Sequence, residues 1–173
     1  MTFNYKNNPD LSSKSDKDHL RDVITALDSE LLKNDANTQT LFLRANAYLD
    51  SGKHIEAIYD YEKILEIDTN HTTVWNNRGI CLRLIGQTEE ALVSFNKAIK
   101  LNENYRDAYN NRGMVLSDIG DLNAAILDFT RAINLDSEYW YAFNNRGMAL
   151  WASGKKTEAI ADYERAKIIL NKE

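Results

Sequence analysis

Absences narrow this sequence quickly. Cys81 is the only cysteine, so no intrachain disulfide can form. Pro9 is the only proline, so nothing after it breaks a helix by losing a backbone N–H. The apolar runs are a few residues long, far short of the roughly 20 residues that cross a bilayer, and no secretory-signal core is evident. The composition therefore points to a soluble protein of a reducing, cytoplasmic compartment, without membrane insertion. Net charge is −5 with both signs interspersed, so no basic face invites nucleic acid. His19, His54 and His71 are scattered and form no HExxH or paired-ligand spacing. No metal, cofactor or catalytic residue is expected, and the chain is not expected to be an enzyme. Cys81 reads as core filler rather than as a nucleophile.

Glycine is also scarce, and its placement is the strongest signal present. Gly79, Gly113 and Gly147 are spaced 34 residues apart, and so are Gly52, Gly86, Gly120 and Gly154. No glycine is left over for a phosphate-binding loop. Repetition at this period marks an array of helical hairpins. Four units follow without insertion, at 38–71, 72–105, 106–139 and 140–173.

Within each unit the fourth position is large and apolar: Leu41, Trp75, Tyr109 and Phe143. The eighth is tiny (Ala45, Gly79, Gly113, Gly147), and the eleventh is Tyr48, Leu82, Leu116 or Leu150. Spacings of four and three put these on one helical face, with the small residue admitting a close neighbour. A second stripe runs through Ala57, Tyr61 and Ile64 and recurs as Ala91, Phe95 and Ala98, then Ala125, Phe129 and Ala132, then Ala159, Tyr163 and Ala166. Between the stripes, Gly52 and its equivalents suit a helix C-terminus in the left-handed region. Each unit is thus predicted to be two helices of roughly 14 residues, each about 21 Å long.

This pattern closely resembles the tetratricopeptide repeat family over residues 38–173. The resemblance implies a right-handed all-α solenoid of four helix-turn-helix repeats plus an N-terminal helix, acting in protein–protein interaction. Two departures stand out. The family's proline near the repeat end is Thr69, Glu103 and Ser137 here, and its leucine at position seven is Arg44, Arg78, Arg112 and Arg146. An arginine beside a hairpin core needs an acceptor. Position twenty-three offers Asp60, Asp128 and Asp162, which predicts the pairs Arg44–Asp60, Arg112–Asp128 and Arg146–Asp162. Ser94 occupies that position in the second repeat, so Arg78 is expected to lack a carboxylate.

Residues 17–34 carry the helical stripe Leu20, Val23, Ile24, Leu27 and Leu31, with Ser15 or Asp16 as its cap. Residues 15–37 are read as a capping half-repeat, and 1–14 as a flexible N-terminal arm. At the other end, Glu164 and Lys167 stand where an apolar face is expected internally, which suggests a self-capping end. Ile160 and Ile168 remain there as apolar residues, so a homodimer joined end to end stays open.

The family's concave groove is lined by positions two, five, six, nine, twelve and thirteen. By that resemblance Asn76, Asn110 and Asn144 (position five) and Asn77, Asn111 and Asn145 (position six) would face a bound peptide. A primary amide can pair with both polar groups of a peptide bond. The position-six row is similar to the asparagine ladder in the tetratricopeptide region of O-linked N-acetylglucosamine transferase, although Leu43 breaks it in the first unit. The alternative is that these asparagines are generic solvated polar positions. Ile80, Met114 and Met148, with Trp140, Tyr141 and Trp151, are the candidate apolar anchors. The carboxylate clamp that holds heat-shock chaperone C-termini does not fit. Asn46 and Asn77 match its polar members, but Phe42 replaces a lysine and Asp107 with Asn111 replaces its basic pair. The expected function is capture of an extended or short helical peptide of a partner protein. The alternative is a self-associating scaffold or assembly factor that uses its ends or convex face.

Overall fold

The protein's computed structural model describes residues 14–172, with side chains from residue 18 onward. The predicted arm falls on residues 1–14, of which all but the last lie outside the described residues. Among the described residues the chain forms nine helices and no strand. They are α1 (Lys14–Leu31), α2 (Thr38–Asp50), α3 (His54–Ile67), α4 (Thr72–Leu84), α5 (Thr88–Leu101), α6 (Arg106–Asp118), α7 (Leu122–Leu135), α8 (Trp140–Ala152) and α9 (Lys156–Leu170). Ser15 and Asp16 lie inside α1 rather than capping it, and α1 ends at Leu31, the last residue of its apolar stripe. The described residues form two compact units, one running through Ile85 and one starting at Gly86. The second repeat therefore gives α4 to the first unit and α5 to the second.

In the first unit, Leu31 of α1 joins Leu41, Ala45 and Leu49 of α2, Tyr61 and Ile64 of α3, and Val74 and Cys81 of α4 in one buried cluster. Burial pushes the Cys81 thiol up to about 12, so it stays protonated and behaves as a small apolar residue. Asn37 accepts from the backbone N–H groups of Gln39 and Thr40, both at 3.1 Å, and so starts α2. In the second unit, Ala125 and Phe129 of α7 pack with Ala149 of α8. A further cluster joins Ala132 and Ile133 of α7 to Ala142 and Phe143 of α8 and to Ala166 and Ile169 of α9.

The turns inside the hairpins close as the glycine spacing predicts. Gly52 and Gly120 have φ of 76° and 85°. The N–H of Lys53 bonds Tyr48 O at 2.8 Å while Gly52 N–H bonds Leu49 O at 3.1 Å, and Asp121 and Gly120 repeat this on Leu116 and Ser117. These are paired Schellman bonds, which satisfy the last carbonyls of the preceding helix. The small position-eight residues do let helices approach closely. A Cβ on Gly113 would lie 2.8 Å from the Phe129 ring, and one on Gly147 would lie 2.7 Å from that of Tyr163.

The position-seven arginines pair as the sequence predicts and also reach further. Arg44, Arg112 and Arg146 each grip Asp60, Asp128 or Asp162 through Nε and Nη2, with every contact at 2.7 Å. The Asp60 carboxylate raises the Arg44 pKa above its ordinary value, against the opposing effect of burial. The expectation that Arg78 lacks a carboxylate fails, because its Nη2 donates to Glu62 Oε1 at 2.7 Å. Glu62 lies 16 residues before Arg78, on the helix that precedes it. The other arginines use that direction too, through Asp28, Asn96 and Thr130. A guanidinium has five donors in a planar fork, so one side chain can tie its own hairpin and the helix before it.

Candidate functional site

The asparagines sit on the first helix of each hairpin, and their neighbours determine what their amides do. In the first unit, Asn77 Nδ2 of α4 donates to Asn46 Oδ1 of α2 at 3.1 Å. The Tyr61 hydroxyl donates to the same oxygen at 2.6 Å, so Asn46 Oδ1 takes two bonds. Asn76 is 3% exposed and donates from Nδ2 to Asn77 Oδ1 at 3.2 Å. Ile80 is partly buried against the core of this unit. The amides of α2 and α4 thus form a chain that runs inward to a core tyrosine.

In the second unit, Asn145 Nδ2 of α8 donates to Asn110 Oδ1 of α6 at 2.9 Å. Asn110 and Asn145 are 4% and 2% exposed. Asn110 Nδ2 reaches Met114 Sδ at 3.7 Å. Asn145 Oδ1 is buried and has no hydrogen-bond partner among the described residues. Asn111 and Asn144 are partly exposed. Tyr141 is buried under Trp140, whose ring stacks on it at 3.7 Å. Met114 packs against the cluster that holds Ala149, whereas Met148 and Trp151 are each 49% exposed. Tyr141, Asn144, Met148 and Trp151 follow one another at three- and four-residue steps, so they share one face of α8.

The structure thus links Asn76 with Asn77, and Asn110 with Asn145. It leaves Met148 and Trp151 the most open of the sequence candidates on α8, with Asn144 partly exposed beside them. Asn46 and Tyr61 were not among the candidate site residues. The available signal was a hydroxyl at position twenty-four and an amide at position nine in the same unit. Among the described residues no group of three His, Cys, Asp or Glu side chains could hold a metal ion. Nor is any helix there long and apolar enough to cross a membrane.

Two-helix hairpins that close on a left-handed glycine and recur every 34 residues define a helical-repeat protein. Residues 38–71, 73–105 and 110–172 match the tetratricopeptide repeat, and the chain belongs to that family, an all-α solenoid class. Its structure is similar to the crystal structure of MamA, with a TM-score of 0.80 and 26% identity over 92% of this chain and 96% of that one. It is also similar to the first TPR of Spaghetti (RPAP3) bound to the HSP90 peptide SRMEEVD, with a TM-score of 0.65 and 26% identity over 68% of this chain and 93% of that one. YrrB, described as a TPR protein with an unusual peptide-binding site, shares the fold at 24% identity over 90% of this chain and 80% of that one, with a TM-score of 0.71. No curated protein matches the sequence.

Proposed function

We propose that this chain is a protein-interaction module that takes a peptide segment of a partner protein on the asparagine-bearing face of its first helices, most strongly at α6 and α8. The observation that carries this reading is the α8 stripe, where Met148 and Trp151 are each 49% exposed beside the partly exposed Asn144. Large apolar side chains held on a rigid helix next to amide groups can bury a ligand side chain while orienting its backbone. The relative of RPAP3 type is itself bound to a peptide. That peptide ends in Glu-Val-Asp, whereas Asp107 on α6 disfavours acidic ligands here. The peptide expected for this chain is extended or short and helical, with an apolar anchor residue and no acidic terminus.

Selection from a random peptide library tests this reading. Selected peptides should carry an apolar anchor, and Asn144→Ala with Trp151→Ala should weaken them about tenfold or more without loss of helicity. Unchanged affinity in that double variant sinks the assignment of the site.

A further inference from the structure

We infer that the outer face of α9 docks a helix of a partner protein that carries an arginine, with Glu164 as its acceptor. The inference is independent of the peptide face and rests on a series of contacts. Asp28, Glu62, Asn96 and Thr130 each accept from the arginine 16 residues later, at 2.7, 2.7, 2.6 and 3.0 Å. These four acceptors recur every 34 residues along α1, α3, α5 and α7, and the next member of the series is Glu164 on α9. Glu164 is exposed and pairs with no basic side chain among the described residues. Its equivalents are all polar, so Glu164 does not depart from the internal pattern as the sequence reading assumed. Only Lys167 does.

The apolar part of the face repeats as well. Within the first unit, Ile58 and Leu65 of α3 pack into the cluster that includes Val74 and Cys81 of α4. Within the second unit, Ile126 and Ile133 of α7 pack into clusters that contain residues of α8. The matching residues on α9 are Ile160, which is 49% exposed, and Lys167, which is also exposed. A lysine can lay its methylenes along an apolar partner while its ammonium stays in water.

The helix already seated on α7 shows what the occupant must carry. On α8, Arg146 follows Phe143 by three residues and is followed directly by Gly147. The occupant is therefore a helix with an arginine placed between a bulky apolar residue and a small one. Charge complementarity selects arginine, because Glu164 offers a carboxylate where Thr130 and Asn96 offer only neutral oxygens. A second copy of this chain does not supply such a helix. Its position-seven arginines are held by their own hairpins or by the preceding helix, and Arg21 on α1 pairs with Asp18 on a polar face.

The probe is a fluorescein-labelled, hydrocarbon-stapled peptide with the α6 sequence Arg106–Asp118, titrated with the full chain by anisotropy. Stapling removes the helix-formation cost of so short a peptide. Saturable binding is expected, lost with Ile160→Asp and weakened about tenfold by Glu164→Gln. The peptide bearing Arg112→Gln should bind as weakly, and Glu164→Gln should then cause no further loss. Absent binding, or binding indifferent to Glu164→Gln, overturns the inference. So does a dimer in light scattering that Ile160→Asp dissolves, which would assign the face to a second copy. Glu164→Gln keeps the test valid should Ile160→Asp fail to fold.

Discussion

The two units place an asparagine at the same register position and put it to different use. Asn77 in the first unit finds Asn46 across the neighbouring first helix, and Tyr61 completes the oxygen of Asn46. Two repeats later Met114 stands in the place of Asn46 and Phe129 in the place of Tyr61. Asn145 therefore turns to Asn110, which stands where the first unit has Phe42, and its own Oδ1 is left without a partner. The residue that repeats does not fix its role. Its neighbours at positions five, nine and twenty-four do. One unit uses its amides as a strut, and the other keeps an acceptor unspent.

The same contrast governs the arginines and the largest expected effect. Arg44 in the first unit holds two carboxylates, Asp60 and Asp28. Arg112 in the second holds one, Asp128, together with the neutral amide of Asn96. Asp128→Ala should cost about 3–5 kcal/mol in urea unfolding, because it strands a part-buried guanidinium. Asp60→Ala should cost less, since Asp28 stays in place. Equal losses would show that the charge of Asp28 adds nothing over the neutral amide of Asn96.

Next in size is the close approach at position eight. Gly113→Ala should destabilise by about 1–3 kcal/mol through crowding on Phe129, offset by about 1 kcal/mol of helix propensity. Ala45 already occupies that position beside Tyr61 in the first unit, so Ala45→Gly should lower stability there by about 1 kcal/mol. A thermal melt in which Gly113→Ala raises the midpoint would remove this difference between the units. The smallest effect belongs to the amides. Tyr61→Phe should cost about 0.5–1.5 kcal/mol by removing one donor from Asn46. Phe129→Tyr combined with Met114→Asn should carry the strut into the second unit, with favourable coupling of about 0.5–3 kcal/mol in a double-mutant cycle. Zero coupling would mean that positions nine and twenty-four do not set the amide wiring.

The helices, their turns and the arginine–aspartate pairs were legible because each repeats a residue type at a fixed spacing. Gly120 at φ 85° and Asp162 beneath Arg146 follow directly from the period. The second reach of the arginines was harder to see. Asp28, Glu62, Asn96 and Thr130 share only the ability to accept a hydrogen bond, and a pattern built on residue identity passes over them. Glu62 is the case in point, since looking only within the repeat predicted an Arg78 without a carboxylate. Burial of Asn76 and Asn110 was hidden for a related reason. Spacing gives the side of a helix, whereas depth depends on which partner an amide finds. Tyr61 and Asn46 supply one kind of partner, Phe129 and Met114 another.

Arginines bound at both sixteen residues before and sixteen after impose a rule on chain length. Surface loops ordinarily absorb insertions and deletions at little cost. Here one residue added to the turn at Gly120 would break the paired Schellman bonds and move Asp128 out of register with Arg112. The hairpin turns should therefore resist length change far more than ordinary connections do. Such a chain grows or shrinks by whole hairpins, as a ratchet moves by whole teeth.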